Sequence, residues 1–416
     1  MQYALLALAC VLLLASSVPG ETAVPVGQKG VYSVTSFGAT GNGTTDDTAA
    51  FQKALDEAGK TGGIVFVPAG EYMIKGHLNV PMHVTLEGTL RAPGTLASFK
   101  GSKLLAVEGR GSEQGKPFIF LNSAATVKGV VVFYPEQDKK EPVPYPWCIA
   151  GAEYDCAVID VMLANPWNGV DFGSRGNGRH LIRGLYGHPL HTGIFVDHCF
   201  DVGRIEDVHL WPFWDIPLMK DFTIKNGTGL KFGRTDWEFV SGVFTIFFKT
   251  GFHFLAVGKS GPGNVVITSS GADLGPCAVL VEKCQPHSGL QFANCQFMAG
   301  IDVRESNKGP IKFTNCGFWG LPKETINHAK VLGNGHVTFN ACHFTTWDAE
   351  KKGEPCIYSN GRALTVSSCD FVDSDKNQIV LGEKQQAAII MGNLMRGGIK
   401  VTNKSKGKVE MGLNAE

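Results

Sequence analysis

Leu290-Gln-Phe-Ala-Asn-Cys295-Gln-Phe297, Ile311-Lys-Phe-Thr-Asn-Cys316-Gly-Phe318, Val337-Thr-Phe-Asn-Ala-Cys342-His-Phe344 and Leu364-Thr-Val-Ser-Ser-Cys369-Asp-Phe371 are one phrase written four times. Its cysteines recur after 21, 26 and 27 residues, a spacing that matches one turn of a solenoid. Apolar and polar residues alternate within each phrase, so every second side chain points inward from a strand. Equivalent side chains of successive coils then stack, and Cys295, Cys316, Cys342 and Cys369 are expected as a ladder of buried free thiols. Ten cysteines remain once Cys10 of the leader is set aside, an even number that would otherwise suggest disulfides.

A second phrase, Gly-apolar-x-apolar, marks earlier coils at Gly169 to Phe172, Gly193 to Val196, Gly229 to Phe232, Gly251 to Phe254 and Gly300 to Val303. Its glycines are expected at corners that need positive φ. A third aligns Val158 to Pro166, Ile182 to Pro189 and Ile205 to Pro212. Together these marks predict at least nine coils of an all-β, parallel β-helix. The strong hand of parallel crossovers makes it right-handed. The 52 glycines in 416 residues fit many short strands joined by tight turns.

Lys plus Arg and Asp plus Glu both number 38, so no basic excess argues for nucleic acid as a partner. Residues 1–20 hold an apolar run from Tyr3 to Ala15 and then small residues to Gly20, as a cleaved signal peptide does. The expectation is a secreted or periplasmic protein with no membrane span and a single domain over residues 21–416. Within it, residues 31–75 cap the open end of the solenoid. A strand over 31–37 leads through Gly38 to Gly43 to a helix N-capped by Asp46 or Asp47, with Ala50, Phe51, Ala54, Leu55 and Ala58 on one face. Coils 158–254 carry the polar and Trp-rich irregularity, and 277–401 carry the cysteine ladder.

The capping stretch Phe37-Gly-Ala-Thr-Gly-Asn-Gly-Thr-Thr-Asp-Asp47-Thr-Ala-Ala-Phe-Gln52, with Gly62-Gly63 and Val67-Pro-Ala-Gly-Glu-Tyr72, resembles the opening of the pectate lyase superfamily. That superfamily includes rhamnogalacturonase and epimerase-like proteins and relatives of glycoside hydrolase family 28. The resemblance implies the same β-helix and a polysaccharide partner, with the chemistry left open among hydrolases, lyases, epimerases and tailspikes. The Asn-Thr-Asp, Asp-Asp, Gly-His-Gly and Arg-Ile-Lys motifs of polygalacturonase-like members are not intact. The one Asp-Asp pair, Asp46-Asp47, falls in the cap, and Arg204-Ile205-Glu206 lacks the basic end. Ile194-Phe-Val-Asp-His-Cys199 is similar to a stretch of extracellular pectate lyases.

If Val170, Phe172, Ile194, Val196, Leu230, Phe232, Phe252 and Phe254 point inward, Asp171, Asp197, Lys231 and His253 face out. From coil and strand spacings, Asp171 and Asp197 are expected about 8 Å apart. Inverting glycosidases hold their acid and base roughly 6.5–9.5 Å apart. Asp236 and Glu238 complete a carboxylate pool, and His198 is a further candidate acid or base. Arg175, Lys231, Arg234 and His191 are expected to grip an acidic glycan. Trp211, Trp214 and Trp237 are expected to stack on its rings. A turn column of Asn168, His191 and Trp214 should border the groove, beside an excursion from Asp215 to Thr228.

The leading expectation is a glycoside hydrolase that needs no cofactor. The first alternative is a uronate lyase in which Lys231 or Arg234 abstracts a proton, with Ca²⁺ held by the same aspartates if the enzyme needs it. The second is a carbohydrate-binding surface protein without catalysis. The histidines at 180, 188, 191, 198 and 209 fall on different coil faces, and no metal site is expected of them.

Overall fold

A computed structural model describes residues 29–416, apart from 95–99, 213–215, 257, 259 and 321–325, and without the side chains of 216–218. The expected signal peptide and Trp214 lie outside the described residues. The chain winds into a parallel β-helix. Thirteen strands, from Leu78–Val80 to Val401–Asn403, stack in one ladder, here called the groove ladder. Of the other strands, Glu153–Tyr154 and Asn177–Gly178 pair separately and most build two further ladders. These join without a break in the long strands Ala157–Ala164, Leu181–Gly187, Cys199–Leu210 and Thr235–Ile246.

The bend between those two ladders explains the residue before each ladder cysteine. Asn294, Asn315, Ala341 and Ser368 have φ between 51° and 56°, a left-handed corner that Asn tolerates best among non-glycine residues. Asn315 Nδ2 donates to Asn294 Oδ1 at 2.7 Å, so neighbouring corners also bond to each other. The next residue turns inward, and all four cysteines are buried with free thiols. Each thiol bonds weakly to carbonyls, as Cys316 does to Phe292 O at 3.6 Å and Thr314 O at 3.4 Å. The phenylalanines on either side form two interior columns. Phe313 lies 4.7 Å from Phe292 and 5.2 Å from Phe339, rings nearly parallel, and Phe318 lies 4.9 Å from Phe344.

The inward set of the groove ladder, Val170, Phe172, Ile194, Val196, Leu230, Phe232, Phe252 and Phe254, is fully buried, as the alternation predicts. Its glycines act differently from expectation. Gly169, Gly193, Gly229, Gly251 and Gly300 are absent from the positive-φ positions. They are small because coils approach closely: a Cβ on Gly169 would stand 2.3 Å from Gly193 O, and one on Gly193 2.3 Å from Gly229 O.

At the cap, the expected strand is shortened to Val31–Ser33 and followed by a 3₁₀ turn, Val34–Phe37. Helix α1, Thr48–Gly59, buries Ala50, Phe51, Ala54, Leu55 and Ala58 against the first coils. Asp47 holds the N-cap position, but its carboxylate turns back to the amides of Thr40 and Gly41 at 2.7 and 3.1 Å. Asp46 Oδ1 instead accepts the Thr48 amide at 3.0 Å. The two acids thus divide the pinning of the turn and of the helix start.

Replacing Phe313 by Ala should destabilise the protein by about 3–5 kcal/mol, whereas Lys312→Ala on the outer face should stay within roughly 0.5 kcal/mol. Thermal unfolding followed by circular dichroism checks this, and equal effects would contradict the inward assignment.

Candidate active site on the groove ladder

The register of the groove ladder decides which side chains share a surface. Asp171, Phe195, Lys231 and His253 are direct neighbours in four successive strands and form one outward column. A groove of about 620 Å³ runs across this column, with Trp147, Asn168, Arg175, His191 and Thr192 also lining it. Its near wall comes from Glu113 to Pro117, a segment that sequence reasoning missed. Trp147 was missed as well; its ring stacks on Phe195 at 6.3 Å.

Around His191 the contacts are dense. Trp167 stacks on the imidazole at 5.1 Å and 15°, and helix α2, Ile216–Asn226, braces Trp167 through Phe222 at 5.4 Å. The column is therefore Trp167 on His191 rather than the expected Asn168 on His191, because Asn168 pairs with Thr192. Asn168 still reaches His191, its Oδ1 lying 3.2 Å from Nδ1. The Trp167 indole donates to Glu113 Oε1 at 2.6 Å, and the same carboxylate lies 3.9 Å from His191 Nδ1. These contacts anchor the wall segment to the ladder.

The electrostatics of the floor favour uncharged bases. Burial pushes Lys231 below its ordinary value, opposed by the Glu113 carboxylate. Burial, and then the charge of Lys231, also lowers His191, again opposed by Glu113. His253 is lowered mainly by burial, although Glu282 Oε1 meets its Nε2 at 2.9 Å. Burial pushes Glu282 up, but the Ala256 amide and His253 outweigh it and hold the carboxyl below the usual range.

The carboxylates expected to do chemistry are placed otherwise. Asp171 lines the groove but is only 1% exposed. Its Oδ1 accepts the amides of Gly173 and Ser174 at 3.0 and 2.8 Å, while Oδ2 lies 4.0 Å from Arg175. Asp197 is buried over Gly233, its Oδ1 accepting the amides of His198 and Arg234 at 2.8 and 2.6 Å. Both acids therefore close turns.

Glu238 is fully buried in the interior, paired with His180 at 3.0 Å, because period-two alternation from the buried Val240 turns it inward. It cannot belong to the groove. Asp236 and Arg234 are half-exposed neighbours 3.7 Å apart. Arg234 lies over the Phe200 ring at 4.8 Å, outside the groove lining.

His198 is exposed, 3.2 Å from Asp197, and with Tyr154, Arg175 and Phe200 borders an adjoining hollow of about 380 Å³. Trp237 is exposed beside Phe239, and Trp211 packs on Phe247. Neither lines the groove. The groove thus brings together Asp171, Arg175, His191 and Lys231 and leaves out Asp197, His198, Arg234, Asp236, Glu238, Trp211 and Trp237.

The aspartates do not suit Ca²⁺ either. Asp171 and Asp197 each commit one oxygen to two amides, and Asp236 faces Arg234. Among the described residues, these acids do not converge as ligands.

Residues 31–130 match a family described as rhamnogalacturonase A/epimerase, pectate lyase-like. That match takes in about a quarter of the chain, its capping end and first coils. The fold of the chain matches the A-module of the Azotobacter vinelandii mannuronan C-5 epimerase AlgE4 over 92% of this chain and all of that one, with TM-score 0.54 and 14% identity. It also matches an N-terminal fragment of bacteriophage phi29 gene product 12, with TM-score 0.66 and 14% identity over 92% of this chain and 70% of that one. At such identity the likeness shows the fold alone.

Among curated proteins, 46 residues are 54% identical to alginate lyase 7 of Azotobacter vinelandii, which is 11% of this chain and 5% of that protein. Another 72-residue match is 40% identical to an Arabidopsis thaliana exopolygalacturonase, 16% of each chain. The chain therefore spans a small part of the curated relatives it matches.

Glu113→Gln keeps an acceptor for Trp167 but removes the charge that raises Lys231 and His191. Both groups should then titrate at lower pH than in the wild type, by NMR for the His191 ring and by chemical labelling rate for the Lys231 amine. Unchanged titration of both would show that the wall does not reach the floor.

Proposed function

We propose that the groove binds a uronate-bearing polysaccharide and removes the proton α to the uronate carboxyl, the first step of both β-elimination and C5 inversion. The observation that carries this reading is Lys231: an amine on the groove floor, lowered by burial, with Arg175, His191 and His253 around it. A chain with no net charge thus concentrates basic groups on one floor. The half-exposed Arg175 guanidinium suits a carboxylate, whose grip acidifies the neighbouring C–H. Neutral Lys231 takes that proton. In elimination the C4–O bond then breaks, C4=C5 forms, and the leaving oxygen takes the proton back from the Lys231 ammonium formed in the first step. In inversion a proton returns to C5 from the opposite face.

Relatives named alginate lyase and mannuronan C5-epimerase have names consistent with this class of reaction. The geometry favours proton abstraction over the hydrolase expected from the sequence, because Asp171 and Asp197 are bound by backbone amides and Glu238 lies in the core.

A panel of polyuronates separates the reactions. Elimination creates an unsaturated uronate that absorbs in the near ultraviolet, inversion changes the C5 signals in NMR, and hydrolysis yields reducing ends alone. Lys231→Met should lower the rate by about 10²–10⁴-fold, the usual worth of a general base. The wild-type rate should rise with pH along a limb whose midpoint lies below 10.5, the ordinary lysine value, since the base must be unprotonated. Reducing ends without ultraviolet absorbance, or full activity in Lys231→Met, would overturn the proposal.

A further inference from the structure

Inside the solenoid, away from the groove, three coils meet at one interior position. His180, Gly203 and Glu238 are successive neighbours there, as the pairing of Leu181 with Arg204 and of Gly203 with Glu238 requires. Gly203 contributes no side chain, and the gap it leaves is filled from both sides. A Cβ on Gly203 would stand 2.4 Å from His180 Cε1 and 2.3 Å from Glu238 Oε2. His180 and Glu238 are both 0% exposed, and the buried Cys199 thiol lies within the same group.

The hydrogen bonds satisfy the Cys199 thiol, which lies 3.0 Å from Asp201 O, but leave Glu238 incomplete. His180 Nδ1 lies 3.0 Å from Asn177 O, which can only accept, so Nδ1 carries the proton. Nε2 lies 3.0 Å from Glu238 Oε1, and without a further cation the pair must share a second proton in full burial. Such a pair bears a large desolvation cost, and Glu238 Oε2 is still left buried with no partner.

We propose that His180 Nε2, Cys199 Sγ and Glu238 form a buried Zn²⁺ site that ties three coils of the solenoid together. One ligand atom from each of the three lies within 4.8 Å of the others. A tetrahedral Zn²⁺ with S, N and O bonds spaces its ligands by roughly 3.3–3.8 Å, so about 1 Å of side-chain adjustment closes the site. The donor set of thiolate, imidazole and carboxylate suits Zn²⁺ over harder ions such as Ca²⁺. The Nδ1–H bond to Asn177 O is the outer contact that fixes a ligating histidine with Nε2 free. Bound through both oxygens, Glu238 supplies the third and fourth donors that a structural Zn²⁺ needs, so Oε2 gains the partner it lacks and Oε1 replaces the bond it loses when Nε2 turns to the metal. This role is structural and independent of the groove chemistry.

The test is metal content and cobalt spectroscopy on the full chain. Wild-type protein produced with zinc should retain stoichiometric Zn²⁺ through dialysis against EDTA while folded. After unfolding and refolding with Co²⁺ it should show thiolate-to-cobalt charge-transfer absorption. Cys199→Ser should abolish that band, and His180→Ala should weaken Zn²⁺ binding by more than the roughly 10- to 100-fold that loss of an outer contact costs. If His180→Ala does not fold, the Cys199→Ser result decides. Folded wild type that takes up neither metal after refolding in excess, with an unchanged thermal midpoint, would overturn the proposal in favour of a bare ion pair.

Discussion

Parallel strands in register put each side chain directly over its equivalent in the coil below, and that constraint governs both surfaces of this solenoid. Inward, equivalents must pack on one another with no void, so a phrase that works in one coil is copied in the next. Phe292, Phe313 and Phe339 stack with interplanar angles of 13° and 9° because like side chains meet face to face. Where the copy is broken, the neighbours must fill the space, as His180 and Glu238 do around Gly203.

Outward, the same register builds a surface from single residues of consecutive coils. Asp171, Phe195, Lys231 and His253 are far apart in sequence and adjacent in space. The ladder supplies a rigid floor, and the segments leaving it supply the walls, braced by the chain of contacts from Phe222 through Trp167 to Glu113 and His191. The wall carboxylate raises Lys231 and His191 while burial lowers them, so floor and wall together set how basic the groove is.

Much of the fold was legible because it repeats. The cysteine phrase, the inward set of the groove ladder and the capping helix all follow from alternation and spacing. The shared outward face of Asp171, Lys231 and His253 could be read the same way. The rest depended on what repetition does not carry. Glu113 and Trp147 reach the groove through a loop and an earlier coil with no shared phrase. Asp171 and Asp197 looked like free acids because a sequence does not show which backbone amides a turn leaves open.

Glu238 could have been read correctly. Counting back two residues from Val240, Ile205 and Ile182 gives Glu238, Gly203 and His180, three inward positions in a row. The carboxylate motif drew attention outward, and the alternation pointed in.

The central claim is that the groove floor around Lys231 recognises a uronate carboxylate, and the most direct measurement is a crystal structure of Lys231→Met with an unsaturated-end-free oligouronate. The account predicts a chain of sugars lying across Trp147, His191 and His253, with one carboxylate held by Arg175 and its C5–H aimed at position 231. An oligosaccharide bound elsewhere on the solenoid, or bound in the groove with its carboxylates pointing to solvent, would contradict it.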